Sequence, residues 1–335
     1  MSVAPPLGKE LAATDKKTRD NAIKSLRTFL STTSDKPMAD LEMAKLWKAI
    51  FFCFWHSDKP LVQQELAAAL ADMLLVPSAP KASFHFLKGF WEAMVREWSG
   101  LDYLRIDKYY MLVRKFVNGS FRLLAREMWT VDAMDEYTRI ISGNKGPLYP
   151  EDRKIPTGLG YHLADIYNEE LNKVVGSDDS SPPVPLVPLF TPFFKLNALT
   201  PSPTTYNRFQ SALYSPMFAA LLAHSTPEGA VVNYRSTTNT VTLAPRDSDG
   251  GRRKRARIEP PELPLKALCH NACLEAHKGD AEEAEKPLSP KELRKGLLKA
   301  MFDVASAEDT KEVSRKRMYR LWREATEQAE TPGED

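Results

Sequence analysis

Residues 53–58 read CFWHSD. A cysteine, a histidine and an aspartate this close together are the donor types of a metal site or of a nucleophile–base pair. Cys53 and His56 are three apart, so on one helix they would share a face. A metal needs more ligands, and Asp58 lies past the helix end. Phe51, Phe52, Phe54 and Trp55 surround the pair with packing side chains. The following HSDKP reads as a helix stop and a new start. Ser57 or Asp58 is placed to accept the orphan N–H groups of the next helix, and Pro60 suits its first turn. The expected structure is a corner between two helices.

The stretch CHNACLEAH (269–277) poses the same choice. Cys269, Cys273 and His277 are spaced by four and would line one helix face. A single helix cannot easily wrap a tetrahedral zinc ion, and no CxxC pair completes the set. The expected structure is a helix with small cysteines on its packed side. No H-E-x-x-H, no G-x-S-x-G and no Gly-rich phosphate loop occurs in the chain. A binding protein is therefore favoured over an enzyme, with no metal, cofactor or small-molecule substrate expected.

Cations are the third kind of chemistry. In the helix expected over about 102–128, Ile106, Tyr110, Val113, Val117, Phe121, Leu124 and Met128 fall on one line. Lys108, Lys115, Arg122 and Arg126 fall on the opposite line, with Arg105 beside them. Such a ridge suits a phosphate backbone or an acidic protein surface, and equally an ordinary solvated face. Lys17, Lys24 and Arg27 share a face of the first expected helix. Lys316, Arg320 and Arg323 share a face of the last. The run RRKRAR is different in kind: Arg252, Arg253, Lys254, Arg255 and Arg257 fit the short basic pattern read by nuclear import receptors.

The elements that must carry these residues are helical. Apolar side chains recur with helical period up to about residue 223, in helices at about 15–31, 38–56, 59–76, 82–98, 102–128, 131–142, 158–175, 186–198 and 204–222. Thr14 or Asp15 is the expected cap of the first. Trp47, Phe51, Trp91 and Trp98 are expected in the shared core. Short polar corners between helices apolar on both faces describe stacked helical hairpins, an all-α solenoid of HEAT or armadillo type. Only 230–243 alternates like a strand.

The expected organisation is a helical-repeat region over 1–224, a loop or linker with the basic run over 225–263, and C-terminal helices over 264–335 folding back on the array. Gly is scarce (15) and Pro common (25), against a turn-dense β fold, and the net charge of +2 excludes a uniformly basic nucleic-acid coat. Three cysteines make no disulfide framework. No apolar run reaches the roughly 18–20 residues of a membrane span. A soluble intracellular protein is expected.

Four stretches together carry a resemblance: LGKELAATDKKTRDNAIKSLRTFLS (7–31), LEMAKLWKAIFFCFWHSDKPLVQQELA (41–67), FLKGFWEAMVREWSGLDYLRIDKYYMLVRKF (86–116) and GLGYHLADIYNEELNKV (158–174). Their order, spacing and Trp content resemble the ribosomal RNA processing protein 1 family, over about 7–224. EDTKEVSRKRMYRLWREA resembles the family's closing segment more loosely. The resemblance implies a non-enzymatic helical protein of the nucleus and nucleolus. Its implied partners are the pre-60S particle, pre-rRNA and other large-subunit assembly factors. The alternative is a HEAT-type nuclear adaptor that binds only proteins, in transport or phosphatase targeting. Neither the residues nor the resemblance says whether the ridges would touch RNA or protein.

Overall fold

A computed structural model describes residues 4–11, 13, 15–32, 38–177, 182–225, 263–278 and 286–330. The alternating stretch 230–243, the basic run 252–257 and the candidate cap Thr14 lie outside the described residues.

The chain forms α1 (Ala4–Leu11), α2 (Lys16–Thr32), α3 (Asp40–Trp55), α4 (Pro60–Asp72), α5 (Pro80–Glu97), α6 (Ile106–Arg126), α7 (Val131–Ser142) and α8 (Thr157–Val175). A two-residue strand β1 (Val184–Pro185) leads into α9 (Leu186–Leu199). Then come α10 (Pro203–Phe209), a π turn (Gln210–Tyr214) and α11 (Ser215–Ala223). From residue 263 onward follow α12 (Lys266–His270), β2 (Ala272–Cys273), α13 (Pro290–Ser306) and α14 (Glu312–Glu330). The fold is all-α and solenoid-like. The π turn ends just before Ser215-Pro216, and the N–H missing at Pro216 interrupts the regular hydrogen-bond ladder. α1 was not foreseen, since the first expected helix began at about residue 15; its prolines fall in the first turn, where N–H groups have no partner anyway.

Apart from α2, which packs on α1, the helices from α1 to α9 pack on those two places along. α1, α3, α5, α7 and α9 form one layer, extended by α13 against α9; α4, α6 and α8 form the other. This is the stacking of a solenoid, in which each hairpin buries its apolar side on its neighbours. Aromatic rings fill the space between layers. Trp47 of α3 meets Phe86 at 4.6 Å between ring centroids and donates its Nε1–H to the Phe86 carbonyl at 3.0 Å. Phe90 stacks on Phe116. Phe51, Trp91 and Trp98 are buried in the same core.

The segment from residue 263 runs back over the array. β2 pairs in parallel with β1, Val184 opposite Ala272. The His277 carbonyl accepts from the Val131 N–H at 2.9 Å, and the His277 N–H donates to the Trp129 carbonyl at 3.2 Å. The turn that offers these groups has Met128 and Trp129 in left-handed conformation (φ 56° and 52°), a backbone that non-glycine residues adopt at a cost. α14 is tied to the α9–α10 corner: Ser314 donates to the Thr200 carbonyl and Tyr206 to the Arg317 carbonyl.

The single helix expected over 269–277 is not there. α12 ends at His270, Asn271 leaves the helical region (φ −127°, ψ 59°), and the chain becomes extended. Strand pairing with β1 outweighs the helical spacing. Cys269, Cys273 and His277 therefore share no helix face.

Candidate functional site

The corner at 53–58 is structural in construction. Cys53 is fully buried, and burial pushes its thiol up to about 11. His56 is exposed, so the two do not converge. Pro60 opens α4, but neither Ser57 nor Asp58 caps it: the N-cap residue is Lys59, without a side-chain bond. The Ser57 hydroxyl instead donates back to the Cys53 carbonyl at 3.2 Å. The last carbonyls of α3 are closed from outside. Lys108 Nζ donates to the Trp55 and Ser57 carbonyls at 2.7 and 2.9 Å, and Gln63 Nε2 to the Ser57 carbonyl at 2.8 Å. Cations at a helix C-terminus satisfy its orphan carbonyls and oppose the negative end of the dipole.

The continuous outward ridge expected on α6 does not exist. Lys108 is buried, and burial lowers the pKa of its amine. Arg126 donates to the carbonyls of Leu75 and Pro77, closing the α4–α5 corner as Lys108 closes the α3–α4 corner, and its Nε pairs with Glu127. Arg122 pairs with Asp72 at 2.6 Å. Arg105 pairs with Asp102 and lies 4.5 Å over the Trp55 ring. Lys115 is the exposed member that forms no ion pair among the described residues. A helix flanked in its layer by α4 and α8 has three packed sides, so the line opposite its core is only partly solvent.

On α2, Lys17, Lys24 and Arg27 are all exposed. On α14, Lys316 pairs with Glu312 at 3.2 Å and Arg320 with Glu324 at 3.9 Å, while Arg323 is exposed without an ion pair among the described residues. The structure brings Arg27 of α2 and Arg122 of α6 to one cavity and leaves the α14 cations apart. α4 packs tightly on α6, and α6 on α8, but α2 stands off from α4. The gap holds two cavities of about 380 and 560 Å³, and Arg27 lines both. Lys24 lines the first, and Arg122 reaches the second from α6. Lys17 lines neither.

One cluster was not foreseen. Arg114 of α6 reaches Glu169 and Glu170 of α8, both at 2.9 Å, and Lys173 and Asn118 complete it. Glu170 is buried, so these partners are required. Its only signal in sequence is the EE pair on α8, and cross-helix partners cannot be read from spacing. Among the described residues, no group of three or more His, Cys, Asp or Glu side chains is placed to hold a metal ion. No described helix is long and apolar enough to cross a membrane.

The family described as nucleolar protein, Nop52, matches residues 2–322. Ribosomal RNA processing protein 1 homolog B of Mus musculus is 39% identical over 171 residues, 50% of this chain and 23% of that protein. Ribosomal RNA processing protein 1 homolog A of Homo sapiens is 29% identical over 329 residues, 95% of this chain and 69% of that one. The Dictyostelium discoideum homolog is 28% identical over 261 residues, 68% of this chain and 51% of its own length. The chain thus spans from about a quarter to about two thirds of the length of these relatives.

Proposed function

The chain belongs to the Nop52 family of nucleolar proteins, and on that premise we propose that it is a non-catalytic scaffold of ribosome biogenesis, docking on pre-60S particles during processing of large-subunit pre-rRNA. The observation that carries this reading is the family match across nearly the whole chain, joined to relatives named for ribosomal RNA processing. A two-layer helical array supports it as well, since such arrays expose long surfaces for many partners and leave their interior to packing.

Particle contact is assigned to three of the exposed cations that form no ion pair among the described residues. Lys17 and Lys115 are exposed and unpaired among the described residues, and Arg323 offers a separate point at the far end. Lys108 and Arg126 are withdrawn from that role, because each already bonds backbone carbonyls. The basic run 252–257 is proposed as the nuclear import signal.

The test is affinity purification of the tagged full chain from nucleolar extract, with and without RNase. Recovery of large-subunit precursor RNA together with assembly factors is expected. Partners that are proteins alone, insensitive to RNase and free of precursor RNA, would replace the scaffold with the protein-only adaptor.

A further inference from the structure

The stand-off between α2 and α4 is an interruption in an otherwise regular stack. Elsewhere in that layer, α4–α6 and α6–α8 close on each other. At α2 the facing surfaces are left apart, and under a charged rim the floor of the smaller cavity is apolar. Ile23 of α2 faces Val62, Leu66 and Met73 around the gap. Ile23, Val62 and Leu66 are only half-buried in the chain alone. The cationic rim is uneven. Lys16 is matched by Asp20 at 2.6 Å and Arg122 by Asp72. Lys24 and Arg27 form no ion pair among the described residues. Glu65 is the remaining acid at the rim.

We propose that the α2–α4 groove is a docking site for an amphipathic helix of a partner protein, with apolar anchors at helical spacing and Asp or Glu on its flanks. The floor decides between occupants. A phosphate backbone gains nothing from Ile23, Val62 and Leu66, and unstacked bases need aromatic platforms, none of which lines this groove. An amphipathic helix laid in a groove uses both parts: its i, i+3, i+4, i+7 side chains take the floor, and its acids meet Lys24 and Arg27. The guest would sit where the layer otherwise has direct helix-on-helix packing. This is a second contact, separate from the cations assigned to the particle.

The experiment replaces Leu66, half-buried on the floor, by a photo-crosslinking amino acid in the full-length protein, expressed in cells and assembled in its particles. Irradiation is followed by mapping of the adduct to a peptide or a nucleotide. An adduct within a protein segment having helically spaced apolar residues and flanking Asp or Glu supports the proposal, provided its yield falls at least tenfold in Lys24→Glu/Arg27→Glu. That double variant is on an exposed face, and an unchanged melting curve shows that it folds. Three results overturn the proposal: an adduct to RNA; an adduct to a segment without that pattern, or one indifferent to the charge reversal; and no adduct while the protein still recovers precursor RNA. The last leaves the scaffold reading standing, so the two fail separately.

Discussion

Lys108 holds the end of a helix fifty-three positions before it: its Nζ lies 2.7 Å from the carbonyl oxygen of Trp55 (|i−j| = 53). Lys108→Met keeps the stem and deletes the donor, leaving the Trp55 carbonyl without this partner. The cost is expected to be about 1–3 kcal/mol. Lys115→Met, one ridge position along but exposed, should stay within about 0.5 kcal/mol. Chemical denaturation of both variants separates a capping lysine from a surface one.

Trp47 joins α3 to both α5 and α6 through Phe86, Phe90 and Phe116. Trp47→Ala is expected to cost about 3–5 kcal/mol, read as a lower denaturation midpoint.

Gly89 tests the same packing from the opposite side. A Cβ there would lie 2.3 Å from Trp47 Cδ1 and 2.7 Å from Met43 Cγ. Gly89→Ala must push a buried indole aside, and overpacking of this kind costs about 1–3 kcal/mol. An unaltered melting temperature would mean that α3 and α5 do not approach as closely as the structure has them.

The three thiols should be silent in the native protein. Cys53, Cys269 and Cys273 are fully buried, and burial pushes the first to about 11 and the second to about 12. Only a thiolate attacks a disulfide reagent. At pH 7–8 an aromatic disulfide reagent should titrate none of the three until denaturant is added, and then all three. Fast labelling of one thiol without denaturant would contradict its burial.

Lys17→Glu/Lys115→Glu addresses attachment to the particle. The double variant should fold normally and leave the particle at lower salt than the wild type. If the bound surface is RNA, each phosphate no longer neutralised should reduce the log–log salt slope by about 0.7–0.9. Co-sedimentation identical to wild type across the salt series would remove these two lysines from the interface.

Much of the fold could be read from periodicity. Apolar spacing located α3 to α9 within a few residues, and Pro60 marked the corner at CFWHSD. What spacing could not give was the direction of polar side chains between elements. Lys108 and Arg126 sit on the side of α6 away from its apolar line, yet the backbone ends they bond belong to earlier corners. CHNACLEAH misled because period four is also compatible with a short helix followed by a strand, and the strand's partner, Val184–Pro185, is far away in sequence. The α2–α4 groove had no local signal at all. Ile23 and Leu66 are the apolar residues any helix of this kind carries, and only the relative placement of two helices leaves them half-covered.

The return of residues 272–277 changes what kind of object the array is. A stack in which each unit touches only its neighbours behaves as a one-dimensional chain: it can melt from an end, repeat by repeat. Here His277 also binds the backbone at Trp129 and Val131, and its Nε2 lies 2.8 Å from the Pro183 carbonyl, 94 residues away. Leu274 lies where a Cβ on Gly296 of α13 would come within 2.3 Å of it. The late segment is a clasp across the middle of the stack, so α7 and the start of α9 cannot separate without breaking its bonds. Closing such a long loop costs entropy before any contact repays it. The clasp is therefore expected to close late in folding and, once shut, to favour concerted opening of the α7–α9 region over its piecemeal fraying.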